Sequence, residues 1–316
     1  MTQVSGASVD RRAYWRTALT LLVVGLAVVF AVRHRTVIGA GASQLAGGHQ
    51  GWLLLAAVAT LSTWVCASVV QQGAVAEPLP VGRLVATQFA ASAANHVLPA
   101  GLGAGAVNLR FLMRCGLSLP RAATALGVKA VASAVSRATL IAVLALFWPA
   151  VLRPPAGFPL RSAVAVAALP VAGVIAALLL SDALRTRVRG LVCGIRSDIR
   201  TVHRLPARAA ALWGGSFAFA SLHALVVVAV SRAIGLPLPA AQVALVYFAA
   251  SSAAVLLPTP GGIGSLDAAL ALALVVTGTP ATLAASVVLG YRLLTVWLPL
   301  LPGLVTLVVL VRRRVL

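Results

Sequence analysis

Leu256-Leu257-Pro258-Thr259-Pro260-Gly261-Gly262-Ile263-Gly264-Ser265-Leu266-Asp267 interrupts one of the most apolar regions of the chain with two prolines, three glycines and the only acid after Asp198. A continuous helix cannot run through Pro258 and Pro260, because each ring removes a backbone donor and clashes with the preceding turn. The glycines add a backbone freedom that a plain span does not need. In lipid, irregular backbone survives only where it is buried in protein or lines a wet cavity. The stretch is therefore a break in a membrane fold and a candidate binding site.

The surroundings fix the class. Of 316 residues, 61% are hydrophobic and 9% charged, and the mean hydropathy is +1.02. A soluble domain of this size carries about a quarter charged residues. An all-α polytopic membrane protein is expected. The net charge of +20 does not point to nucleic acid, since the basic residues sit at the ends of apolar segments, where they orient a membrane protein and attract anionic lipid. Cys66, Cys115 and Cys193 are far apart and the five histidines scattered, so no metal site or cofactor is expected. With five acids in all and no HExxH, GxSxG or P-loop, neither is an enzyme.

In order, Thr17–Val32 is a first span, retained because Arg33-His34-Arg35 follows it without a small-residue cleavage site. Trp52–Val70 is a second, and the polar connection Gln71–Arg83 follows. Leu84–Leu98 then breaks at Pro99-Ala100-Gly101-Leu102-Gly103-Ala104-Gly105, with Asn108, Arg110 and Arg114 beyond. Residues 120–148 form the next span, carrying Lys129 and Arg137, and 163–180 another. Asp182–Arg208 is a polar loop with seven arginines against two acids, an amphipathic connection beside anionic headgroups. Residues 209–231 span again, and 240–257 lead into the opening stretch. A short helix, Leu266–Val276, precedes the long segment Ala281–Val311, kinked by Pro299 and Pro302.

The two breaks match each other at an offset of 159 residues. Phe89-Ala90-Ala91-Ser92 falls on Phe248-Ala249-Ala250-Ser251, Leu98-Pro99 on Leu257-Pro258, Gly103 on Gly262, Gly105 on Gly264 and Asn108 on Asp267. Self-similarity at fixed spacing marks repeated structure. The expectation is one integral membrane domain, residues 1–316, with repeat halves at 52–148 and 209–311. Span 163–180 and the basic loop 182–208 join them. Placing Arg11, Arg12, Arg16, the arginine loop and Arg312-Arg313-Arg314 inside gives about six full spans and two oppositely facing re-entrant hairpins, in a plasma membrane with cytoplasmic termini. Counting both legs of the second hairpin as spans satisfies the charges equally. Inverted repeats with broken helices recur in secondary transporters.

Asp267 is the sharpest single residue, since an acid within the membrane costs about 2.5–3.5 kcal/mol. Two roles are open: a first-turn acid on a helix capped by Ser265, or contact with a cation or coupling ion. Arg292, beside Tyr291, is the nearest basic partner. Arg110, Arg114, Lys129 and Arg137 have no acid on their own helices; they need an external anion, such as lipid phosphate, or a snorkelling route. Asn95 and His96 precede Pro99, in place to line the same cavity or cap the broken helix.

Pro258–Asp267, followed by Tyr291-Arg292-Leu293-Leu294-Thr295-Val296-Trp297-Leu298-Pro299, resembles the lysylphosphatidylglycerol synthase transmembrane-region family. The Asn95, Leu98-Pro99, Gly105 and Arg110 positions are similar to its first-half pattern. The resemblance implies an integral-membrane fold and, in the best-understood branch, movement of lipids between leaflets. The family's usual Glu is Asp267 here. No aminoacyl-transferase domain follows the last span, so aminoacyl-lipid synthesis is not expected.

The residues expected to hold a headgroup are Arg110, Arg137, Arg292, Asn108, Asp267 and Tyr291. The helix breaks are Pro99, Gly101, Gly103 and Gly105 in one half and Pro258, Pro260, Gly261, Gly262 and Gly264 in the other. The expected cargo is an anionic or polyprenyl-linked membrane lipid. The alternative is a non-transporting accessory protein that docks a lipid- or glycan-processing partner through its basic cytoplasmic loop; a membrane-embedded transferase ranks third.

Overall fold

The computed structural model describes residues 46–97, 102–149, 182–255 and 264–313, and these are helical with short connections. The expected spans 17–32 and 163–180 lie outside the described residues, as do Pro99, Gly101, Pro258, Pro260, Gly261 and Gly262. In order, the helices are α1 (Gln50–Gly73), α2 (Val81–Val97), α3 (Leu102–Arg114), α4 (Leu119–Phe147), α5 (Asp182–His203), α6 (Pro206–Ala233), α7 (Ala240–Val255), α8 (Ser265–Val276), α9 (Ala281–Arg292) and α10 (Leu298–Arg312). A π-turn over Leu293–Trp297 joins α9 to α10 into one 32-residue rod.

Among the described residues, α1, α4, α6 and the α9–α10 rod are long and apolar enough to cross a membrane. These are the four expected full spans that fall on described residues. By contrast α8, at 12 residues, is about 18 Å long, well short of the roughly 30 Å hydrocarbon core. Pro120 and Pro206 sit in the first turns of α4 and α6, where a missing N–H costs nothing.

Lipid is as apolar as leucine, so helices in it associate through close packing of small residues and polar contacts. That is how α1 meets α6, through Ala56, Ala59, Thr63 and Ala67 on one side and Gly215, Ser216, Ala220 and Ala224 on the other. Thr60 and Ser68 return their hydroxyls to their own helix, at the carbonyls of Ala56 and Trp64 (both 2.8 Å). A larger core joins α6, α7, α8 and α9 around Val226, Val227, Leu270, Leu274, Ala284 and Val287. The helices flanking each break pack on each other, α2 on α3 and α7 on α8, while α10 packs on α2.

Two local expectations need correction, and one detail is added. The stretch read as a polar loop from Asp182 is helical to His203. Ile195, Ile199 and Val202 pack it onto α4 and α6, and Asp198 accepts the Thr124 hydroxyl; the apolar spacing was masked by the arginines around it. The short helix α8 starts after Gly264, not at a Ser265 cap: Ser265 is its first residue. The last rod departs from α geometry at Leu293–Trp297, one turn before Pro299. Pro299 lacks the N–H that the Thr295 carbonyl would accept, and a π-turn is one way to absorb that loss.

Candidate functional site: a polar cavity between the helices

A cavity of about 320 Å3 opens between α1, α2, α3, α4, α6 and the Tyr291–Val296 segment. Its volume is at the lower end of small-ligand sites. Trp64 of α1, Asn95 and His96 of α2, Asn108 of α3, Lys129 of α4, His223 of α6 and Arg292 of α9 are among its lining residues. Polar groups inside a bundle of membrane-spanning helices are costly unless used. The cavity therefore concentrates the chemistry of the fold.

Arg292 donates from Nε to Asp267 Oδ1. The other carboxylate oxygen accepts the Gly264 N–H at 2.9 Å, and Gly264 sits at φ +91°, a left-handed conformation that favours glycine. Asp267 thus does both things the sequence left open: it caps α8 and pairs with a cation. Arg292 is 8% exposed, so the guanidinium is held inside the fold with its charge opposed.

The first-half counterpart of Asp267 is built differently. Asn108, 5% exposed, accepts from Gln88 Nε2 and donates to the Ala104 carbonyl, both at 2.8 Å. Gly103 makes this approach of α3 to α2 feasible. A Cβ there would lie 2.0 Å from the Ala94 carbonyl oxygen.

Tyr291 is largely buried and lines the cavity. Its hydroxyl lies 3.3 Å from both Tyr247 Oη and His223 Nδ1, giving a polar chain across α9, α7 and α6. Arg137 lies close enough for its charge to act on all three groups, two turns along α4 from the cavity-lining Lys129. Arg110 is exposed on α3 and does not line the cavity. Of the described break glycines, Gly105 faces open space. The fold therefore brings Asn108, Asp267, Tyr291 and Arg292 to the cavity or its wall, sets Arg137 behind it, and leaves Arg110 outside.

Lys129, read as a cation in need of an external anion, is absent from the expected headgroup set; Gln71, Gln88, His223 and Tyr247 are passed over. Lys129 had the clearest signal, a cation inside an apolar span, and its ammonium donates to Gln71 Oε1 at 3.2 Å. His223 was equally visible as the one histidine within an apolar helix of the second half. Tyr247 precedes the Phe248 of the matched stretch, and Gln88 holds the same place before Phe89.

The chain matches the Lysylphosphatidylglycerol synthase TM region over residues 17–303. It belongs to that family. A search of curated proteins finds no match. Family membership and the apolar helices establish a multi-pass membrane protein with a link to lipid handling. In this family member, both matched blocks, at Gly264–Asp267 and at Tyr291–Pro299, meet at the Asp267–Arg292 pair.

Proposed function

We propose that the protein moves a phosphate-bearing lipid between leaflets, its headgroup passing through the cavity while the acyl chains stay in the bilayer. The observation that carries this reading is a cavity with two basic side chains, set among four helices of membrane-spanning length and lined from both broken regions. Guanidinium and ammonium groups are suited to phosphate, and the half-helix ends at the breaks supply further dipoles. The order of helices favours it too: one long, two short and one long in α1–α4, repeated in α6–α10. We read the halves as an inverted repeat, the broken segments as re-entrant hairpins, and the protein as non-catalytic.

Reconstitution in liposomes tests this directly. Fluorescent phospholipid or polyprenyl-phosphate lipid should cross leaflets faster than in protein-free vesicles, and Asp267→Asn or Arg292→Ala should slow it about tenfold. No acceleration with any of these lipids, or full activity in both variants, refutes the reading.

One observation favours a second reading, an accessory protein that docks a lipid-processing enzyme. Helix α5 presents Arg185, Arg189, Arg196 and Arg200 outward, and Arg204 is exposed just past its end. Replacing Arg196, Arg200 and Arg204 by Gln would then abolish co-purification of that enzyme, with no lipid movement by the parent protein in liposomes. Orientation has its own test at Cys193, exposed on α5. In a plasma membrane with cytoplasmic termini, an impermeant maleimide should reach it only after permeabilisation.

A further inference from the structure

Resting on the translocator reading, we infer that Lys129, which lines the cavity and is held by Gln71 behind it, forms the anion-binding end of the cavity. It selects a phosphodiester carrying one net negative charge.

The argument is one of charge and donor accounting. Two basic side chains line the cavity, Lys129 and Arg292. Arg292 is opposed by Asp267. Among the described residues, no carboxylate lies within ion-pairing distance of Lys129. Its ammonium has three protons to donate, and one goes to Gln71 Oε1 at 3.2 Å. Gln71 is 0% exposed, and its Nε2 has no hydrogen-bond partner. A buried donor without a partner is costly. Lys129, half-buried, thus reaches the cavity with donor capacity that the protein leaves unused.

Counting histidines as neutral, the lining itself has one positive charge without an ion-pair partner, that of Lys129, Arg137 lying outside the lining. A buried ammonium is stable only when paired or hydrogen-bonded, and a single anion meets that need. A phosphodiester brings one negative charge and acceptor oxygens for the remaining protons of Lys129 Nζ. A phosphomonoester brings about −1.5 to −2 at neutral pH, leaving excess negative charge within the membrane. A zwitterionic headgroup cancels its own phosphate and leaves Lys129 unneutralised. Arg110, exposed on α3, plays no part in this selection.

The test is binding to the purified full-length protein in uncharged detergent, read by native mass spectrometry. The probes are phosphatidylglycerol, phosphatidylethanolamine, phosphatidic acid and the soluble diester glycerophosphoglycerol. Phosphatidylglycerol should bind about tenfold more tightly than either other lipid, the scale of one charge-assisted hydrogen bond. Lys129→Met should erase that preference, and Lys129→Arg should keep it. Competition by glycerophosphoglycerol at matching affinity would place recognition in the free diester; weak competition would place it in the intact lipid.

Gln71→Glu guards against a Lys129→Met that does not fold. It gives Lys129 an internal carboxylate, so the variant should fold and still lose phosphatidylglycerol binding about tenfold. Undiminished phosphatidylglycerol binding in folded Lys129→Met or in Gln71→Glu overturns the assignment. So does equal binding of phosphatidylethanolamine by the parent protein. Either result with lipid movement intact in liposomes spares the translocator reading. Binding as expected without movement defeats that reading and leaves the site standing.

Discussion

Asp267 and Arg292 tie the short helix α8 to the last membrane rod, with one carboxylate oxygen on the guanidinium and the other on the Gly264 N–H at 2.9 Å. The pair closes one wall of the cavity. It also explains why an acid stands immediately after the break. Without it, the first turn of α8 loses a cap and a buried Arg292 loses its opposing charge.

The two roles separate by substitution. Asp267→Asn retains an oxygen for the Gly264 N–H and removes only the charge. Removing one partner from a buried ion pair costs about 3–5 kcal/mol, so a large drop in thermal stability in detergent is expected. The double variant Asp267→Asn with Arg292→Gln removes the stranded charge and should recover part of that loss. If the double variant is as unstable as the sum of the singles, the two residues are not coupled.

Gly103 and Gly105 are near neighbours on α3 with opposite expectations. An alanine at 103 would press its Cβ to 2.0 Å from the Ala94 carbonyl oxygen, whereas at 105 nothing lies within 4 Å. Overpacking typically costs about 1–3 kcal/mol, and here backbone is in the way, so Gly103→Ala should fall at or above that range. Gly105→Ala should gain up to about 1 kcal/mol from helix propensity. Melting temperatures of the two variants decide the matter, and equal effects would mean that α2 and α3 do not approach as described.

Gln88→Leu tests the first-half pairing. It deprives buried Asn108 of the donor to its Oδ1, and an orphaned buried acceptor costs about 1–3 kcal/mol. Removing both ends, Gln88→Leu with Asn108→Leu, should be milder than the single change in the same melting assay. A double variant that is worse would assign Asn108 a further partner.

Much of this architecture was legible because membrane helices announce themselves by length and apolarity. The ends of α4, α7 and α8 fall within two residues of the expected ones. The Asp267–Arg292 pair was accessible for a similar reason: acids are so rare that Arg292 had few partners to choose from. Lys129 and Gln71 are 58 residues apart, on helices whose relative rotation no local pattern reveals. The His223–Tyr291–Tyr247 chain joins three helices and is equally non-local. In α5 the arginines outweighed an apolar spacing of Ile195, Ile199 and Val202 that was present in the sequence but not weighed.

Outside the spans, Glu77 fastens the α1–α2 connection to α4 through Arg121 at 2.6 Å. Partial burial pulls its carboxyl upward, but its backbone hydrogen bond and the Arg121 guanidinium outweigh that and hold it below the ordinary value of 4.5. A carboxyl depressed in the folded state contributes stability that is fully present above its unfolded value. That contribution is lost as pH falls through the folded one. Both side chains are well exposed, 58% for Arg121 and 41% for Glu77, so solvent screening limits the pair to at most about 1 kcal/mol. Glu77→Gln should therefore lower the melting temperature slightly at pH 7, and the gap from the parent should close as the pH is taken below 4.5. A gap that stays constant down to pH 3 would show that Glu77 acts through shape rather than charge.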